Sequence, residues 1–237
     1  MQDLSDWTPP RWPDAEMLEG RHARLERLSP AAHAAALHAA NAEDDRIWDY
    51  LPYGPFGTEA AYAGWVREVA AAADPRFHAI FDIDAKRWGG VASLMRINPA
   101  AGSIEVGHIN LARCLQRTRA ATEARYLLMR WAFEAGYRRY EWKCDARNLG
   151  SRRAAQRLGL SFEGVFRQAA VVKGRNRDTA WFAAIDGEWP ALRAAFETWL
   201  APENFDDAGR QRQRLSDLTA PVLAARDPGL ARGERGG

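Results

Sequence analysis

The run from Ser103 to Gly159 restricts the fold more than any other part of the chain. It reads strand, loop, helix, strand, helix: SIEVGHINLA, then RCLQRTRAATEARYLLMRWAFEAG, then YRRYEWKCD, then ARNLGSRRAAQRLG. Ala121, Ala124, Leu128, Trp131, Ala132 and Ala135 recur at helical spacing and form one apolar stripe. Gly136 suits the helix C-cap. Tyr140, Trp142 and Cys144 alternate with Glu141, Lys143 and Asp145, the period of a half-buried strand. Two strands joined through so long a helix predict a parallel pair with a right-handed crossover.

Both strand-to-helix corners carry polar residues suited to anions. Gln116, Arg117, Thr118 and Arg119 fall at the start of the long helix, which places free N–H groups and two guanidiniums at one helix N-terminus. Asn148 and Ser151 open the second helix. Side by side, the corners predict a site for a phosphorylated cofactor. Taken from spacing alone, two ordinarily capped helices with solvated arginines account for the same residues equally well.

Residues 1–15 read as an extended arm, because Pro9, Pro10 and Pro13 forbid helix, with Trp7 and Trp12 as pins. Glu16 to Leu28 predicts a single first strand. Ser29-Pro30 opens an Ala-rich helix to Ala40, Trp48 to Phe56 forms an aromatic loop, and Thr58 caps a helix over 59–73. Arg76 to Ile83, Arg87 to Ile97 and the Ser103 strand predict three antiparallel strands in sequence. Phe162 to Lys173 and Thr179 to Asp186 predict a long hairpin across GRNR, before a last helix over Glu188–Leu200. The fold class is mixed α/β, with one mainly antiparallel sheet of about seven strands and helices on both faces. The expected organisation is an arm (1–15), one domain (16–203) and a polar extension (204–237) that docks and then frays.

With 33 basic and 31 acidic residues the net charge is +2, too balanced to point to nucleic acid. Cys114 and Cys144 have neither metal-ligand nor disulfide-framework spacing, so no metal is expected. The polar, Pro-rich start and the lack of a long apolar run predict a cytoplasmic protein without a membrane segment.

At Gln116–Ala121 and Asn148–Arg153 the chain resembles the GNAT superfamily of N-acetyltransferases, and within it the RimJ/RimL branch of protein N-terminal acetyltransferases. The family's Gln/Arg-x-x-Gly-x-Gly/Ala, followed in this branch by Thr-Glu-Ala, corresponds to Gln116 through Ala124. The branch's Asn-x-x-Ser-Arg-Arg, before a helix ending Leu-Gly, corresponds to Asn148–Arg153 and Leu158-Gly159. Glu163-Gly164, the turn over 173–178 and Glu188-Trp189 extend the likeness, which covers roughly residues 20–200. One departure stands out: the family's first glycine is Arg119 here, which either narrows the approach to the pyrophosphate or adds a phosphate contact.

The resemblance implies a V-shaped splay between the Ser103 and Tyr137 strands and acetyl-CoA as cosubstrate. The pyrophosphate would lie on Gln116, Arg117, Thr118, Arg119, Ala120 and Ala121. The pantetheine would run along backbone groups of Asn110 and Leu111 and beside Asn148. Ser151 would stabilise the leaving thiolate. Strand alternation groups Glu105 with Gly107 and Ile109, and Val106 with His108 and Asn110. Glu105, acting through a water, and His108 are alternative bases for an amine acceptor; a surface carboxylate and a core-edge imidazole are the bland counterparts. Two other readings stay open: a coenzyme A-binding module without catalysis, and an RNA-associated protein. The chain leaves open whether the arm makes a homodimer.

Overall fold

The computed structural model describes residues 3–231. Eight strands form one sheet in the order β1-β2-β3-β4-β5-β6-β8-β7. They are β1 (Met17–Glu19), β2 (Ala23–Arg27), β3 (Arg76–Asp82), β4 (Arg87–Asn98), β5 (Ser103–Leu111), β6 (Arg139–Asp145), β7 (Ser161–Val172) and β8 (Arg175–Ile185). Every neighbouring pair is antiparallel except β5–β6. That pair is joined by helix α3 (Arg119–Glu134), the expected crossover.

β5 and β6 pair only from Ser103–Arg139 to Val106–Trp142. Beyond that point each strand continues without the other, which opens the V-shaped gap that positions the site.

Two helices, α1 (Pro30–Asn41) and α2 (Glu59–Ala70), cover one face. Their core joins Leu37, Tyr62 and Val66 to Phe77, Ala79 and Val91. The other face carries α3, α4 (Leu149–Arg157) and α5 (Trp189–Leu200), packed on Leu94, Ile104, Val106, Tyr140 and Phe182. Each buried Val, Leu, Ile or Phe side chain here contributes roughly 1.5–3 kcal/mol.

The segment expected as one strand over 16–28 is instead the β1–β2 hairpin, folded at Gly20–His22, so the sheet has eight strands rather than seven. The cause lies far away in sequence. The Glu123 carboxylate of α3, 5% exposed, accepts the backbone N–H groups of Arg21, His22 and Ala23 at 2.9, 2.5 and 2.7 Å. A Cβ on Gly20 would sit 2.4 Å from this carboxylate, so the turn needs glycine there.

Ser29 precedes α1 but makes no side-chain cap; its N–H donates to His33 Nδ1 at 3.0 Å. Thr58 does cap α2, accepting from Ala61 N at 3.2 Å. The long hairpin turns at Lys173 and Gly174, both at positive φ, as a two-residue turn between twisted strands demands. Arg175 to Arg177 therefore belong to β8, not to a loop.

The N-terminal arm crosses beneath the β5–β6 end of the sheet, with Trp7 under the Arg138 guanidinium at 5.7 Å and Arg11 O accepting from Tyr137 Oη at 3.1 Å. After α5 the chain returns through α6 (Leu215–Thr219) and α7 (Pro228–Ala231) against α4. The fraying expected of the Gly- and Arg-rich end falls from residue 232 onward, outside the described residues.

Candidate active site

The corner before α3 is built by its own side chains. Thr118 is the N-cap: its Oγ1 accepts from Ala121 N at 3.0 Å, and its hydroxyl donates to Leu115 O at 2.8 Å. Gln116 Nε2 donates to Leu111 O at 3.0 Å and braces the loop to β5. Arg117 sits at φ 63. Among the described residues, the N–H groups of Arg117, Arg119 and Ala120 meet no backbone acceptor. Three open donors at the start of a 16-residue helix present positive dipole ends of the kind that suit an anion.

Two expectations change at this corner. The Ala121 N–H is taken by the Thr118 cap, and the Leu111 carbonyl accepts one bond from Gln116, which leaves it a second lone pair. The Arg119 side chain reaches Asp84 at 3.6 Å and the Phe205 ring at 4.9 Å. Asp84 in turn meets His22 Nδ1 at 2.8 Å. Arg119 is therefore tied to the β3–β4 turn and the returning C-terminal segment.

At the second corner, Asn148 Oδ1 accepts from Ser151 N at 3.0 Å and caps α4. Ser151 Oγ accepts the indole N–H of Trp142 at 2.9 Å. Burial raises the pKa of the neighbouring Cys144 thiol. Ser151 thus stands on the β6 side of the gap with its oxygen accepting the Trp142 indole N–H.

The β5 side departs from simple alternation. Ser93 pairs with Gly107 but Val91 pairs with Asn110, so β5 holds one extra residue, and His108 takes φ 50 within the bulge. The extra residue reverses the side-chain parity beyond it. Glu105, Gly107 and Asn110 consequently share the α1/α2 face, whereas Val106 faces α3; the grouping of Val106, His108 and Asn110 is corrected. Asn110 is 1% exposed, and its amide nitrogen and oxygen both lack partners.

His108 packs on Tyr53 and Phe77, with ring centroids 5.6 and 5.1 Å away. Burial, aided by the charges of Arg96 and Arg177, pushes its pKa down to about 4. The imidazole is neutral at neutral pH and a weak proton acceptor, well below the pKa that suits a general base there.

Glu105 is 3% exposed. Its Oε2 receives Arg96 Nη1 at 2.7 Å and Lys143 Nζ at 2.8 Å. Oε1 has no such partner; it lies beside Gly107, 3.6 Å from where a Cβ would stand there, with the Met95 sulfur covering the glycine still closer to that point. Lys143 also meets Glu141 at 2.7 Å and lies 3.9 Å from the Trp181 ring centroid. Arg139 extends the network to Glu141 and Glu163. Sequence alternation marked Glu141 and Lys143 as outward-facing; only the parallel register, which sets Glu105 beside Glu141, reveals the network.

The gap is roofed from both sides. Lys173 Nζ at the hairpin tip donates to Trp48 O at 3.0 Å, and Tyr50 Oη approaches Arg147 O at 3.5 Å. The β7–β8 hairpin thus meets the aromatic loop, whose Trp48, Tyr53 and Phe56 pack edge-on or tilted with Tyr62 and Trp65. Among the described residues there is no cluster of potential metal ligands and no helix long and apolar enough to cross a membrane.

The splayed parallel pair, the bulged strand and the open donors at a helix N-terminus define an acyl-coenzyme A-dependent transferase fold. Residues 22–161, more than half of the chain, match the model of the acetyltransferase (GNAT) domain, and the chain belongs to that family. It is similar to a GCN5-related N-acetyltransferase from Brucella melitensis at 45% identity and a TM-score of 0.89, over 92% of this chain and 100% of that one. It is also similar to a probable GNAT-family acetyltransferase from Chromobacterium violaceum, at 42% identity and a TM-score of 0.76, over 81% of this chain and 96% of that one. An acetyltransferase from Salmonella typhimurium that modifies the N-terminal serine of ribosomal protein L7/L12 shares the fold at 21% identity and a TM-score of 0.62, over 72% of this chain and 99% of that one. No curated protein matches the chain.

Proposed function

We propose that this protein is an acetyl-CoA-dependent N-acetyltransferase of the RimJ/RimL-like branch, acting on a primary amine in the cytoplasm. The observation that carries the reading is the junction of the β5–β6 gap with the three open N–H groups of Arg117, Arg119 and Ala120. A pyrophosphate fits those donors, and a pantetheine arm fits the open strand edges between them and Ser151. The side chain of Arg119 is held at Asp84 and Phe205, which supports a corner left open by that side chain. We take residues 16–203 as the catalytic unit and the segment after it as a brace on α4.

Bound acetyl-CoA supplies the thioester. Once the ammonium has lost a proton, the neutral amine nitrogen bonds to the acetyl carbonyl carbon, the carbon–sulfur bond breaks, and the second nitrogen proton leaves with the sulfur, giving the neutral amide and the free thiol. The ammonium proton passes, through a water, to Oε1 of Glu105, while Arg96 and Lys143 fix the carboxylate by its other oxygen. The departing thiolate accepts the Ser151 hydroxyl, which the Trp142 indole holds in place. Asn148 sets the start of α4 and lines the pantetheine side. Of the two candidate bases, Glu105 is favoured, since His108 titrates near 4 and is packed between rings.

Calorimetric titration with acetyl-CoA and free coenzyme A, followed by thiol release over an amine panel, tests this reading. Micromolar binding and turnover are expected. Absence of binding would reduce the Gln116 corner to a helix cap and end the transferase reading.

A further inference from the structure

Arg177 occupies β8 two residues before Thr179, which pairs with Asp145 at the end of β6. By alternation it shares the face of Thr179 and Trp181, the face that also carries Lys143 and Glu105. β8 continues past the end of β6 here, so Arg177 stands at the mouth of the gap, beneath the hairpin roof. Its charge acts on both banks. On β5 it joins burial and Arg96 in depressing His108, and on β6 it helps to lower Asp145.

The neighbouring cations are matched. Arg96 and Lys143 hold Glu105, Arg139 holds Glu141 and Glu163, and Arg147 holds Asp145. Asp178, the next acid along β8, accepts from Gln168 N and Asn176 Nδ2. Arg177 has no acceptor among the described residues, and its Nε is shielded from solvent with no hydrogen bond. A guanidinium whose Nε is shielded and unbonded is under-satisfied, and the partner its planar fork suits is a two-oxygen anion.

We propose that Arg177 binds an anionic group of the acceptor, a carboxylate or phosphate a few atoms from the attacking nitrogen. The inference rests on the N-acetyltransferase reading above and narrows its substrate class to amines that carry their own anion. With that anion on Arg177 at the mouth, the amine points down the gap toward Gly107 and Glu105. Neutral His108 adds no competing charge on the opposite bank.

The test uses paired compounds differing only in the anion: N-acetylated amino acids against their carboxamides, and N-acetylated aminoalkyl phosphates against the alcohols. Each pair is titrated calorimetrically into the full chain, with and without saturating coenzyme A. In the wild type the anionic member of at least one pair should bind ten times more tightly or better. The preference should fall below threefold in Arg177→Met and largely return in Arg177→Lys, with coenzyme A affinity equal in all three proteins. Which pair responds separates carboxylate from phosphate. Equal binding within both pairs, no binding of any member, a preference retained in Arg177→Met, or a loss of coenzyme A affinity in that variant would each overturn the proposal. Failure of coenzyme A to bind at all sinks the transferase reading instead, while the titrations without it still decide the role of Arg177.

Discussion

The indole N–H of Trp142 donates to the Ser151 hydroxyl at 2.9 Å, joining the core-facing side of β6 to the first turn of α4. The bond occupies a lone pair of Ser151 and does not consume its proton. Ser151→Ala should therefore lower kcat by roughly tenfold, because thiolate is a good leaving group and needs only one donor. Trp142→Phe should lower kcat by less, with the KM for acetyl-CoA little changed. Steady-state thiol release reads both; a Ser151→Ala enzyme at full speed would remove the hydroxyl from the chemistry.

Arg152 and Asp227 form a two-bond ion pair at 2.7 and 2.6 Å, with the aspartate side chain fully enclosed. The Asp227 N–H is also held by Gln156 Oε1 at 2.8 Å. Removing one member leaves a buried charge without its partner, which costs about 3–5 kcal/mol. Asp227→Ala should destabilise the fold by that order in urea titration and should loosen the C-terminal segment first. Limited proteolysis that cut the variant no faster after residue 204 would contradict the bracing role.

Protonation gives a signed expectation. His78 and His108 both have folded pKa values of about 4, depressed chiefly by burial from 6.5. The unfolded chain binds more protons than the folded one between those values, so stability is complete above about pH 6.5 and is lost as pH falls toward 4. The slope is roughly 1 kcal/mol per pH unit for each histidine. His78→Phe should flatten the dependence by about half in denaturant titrations between pH 4 and 7; an unchanged slope would assign the loss to other groups.

How far the sequence reached depended on whether a feature was local. The crossover around α3, the Thr58 cap and the long hairpin all announce themselves within a dozen residues through periodicity and capping chemistry. The β1–β2 turn does not, because the carboxylate that bends it belongs to Glu123, about a hundred residues away. The bulge at His108 was hidden for a different reason: SIEVGHINL alternates well enough to read as a straight strand, and one extra residue has no signature of its own. That single residue moved Asn110 to the opposite face and changed which side chains line the gap. The Glu105–Lys143–Glu141 network was equally invisible, since the parallel register that assembles it joins strands separated by the whole of α3.

Glu123 offers a test of that long-range device. Three N–H groups on one buried carboxylate make it the main anchor of the first hairpin to α3, and removal leaves those donors without an acceptor. Glu123→Ala should cost about 2–4 kcal/mol, built from several unmet buried groups at 1–3 kcal/mol each and partial relaxation of the turn. Hydrogen exchange should speed up at Arg21, His22 and Ala23 ahead of the rest of the sheet. Protection unchanged at those three amides would mean the turn holds without the carboxylate.

The role of Glu105 turns on the division of labour between its two oxygens. Oε2 is fixed by Arg96 and Lys143, so the carboxylate cannot rotate away, and Oε1 is the oxygen left to accept a proton beside Gly107. Glu105→Gln keeps the shape but removes the proton acceptor, and it leaves Lys143 with Glu141 as its remaining carboxylate. A general base of this kind contributes about 10²-fold or more. The variant should lose that factor in kcat while retaining its affinity for coenzyme A. Because the lost step is deprotonation of the ammonium, the residual activity should climb with pH toward the pKa of the free amine, where the acceptor arrives already deprotonated. A merely structural glutamate predicts the opposite pattern: lowered thermal stability, weakened binding and no change in the shape of the pH profile. Glu105→Asp separates the readings further, since it restores a carboxylate but draws it back from the gap by one methylene. Partial recovery of rate with the wild-type pH profile marks the base, and recovery of stability alone marks a strut.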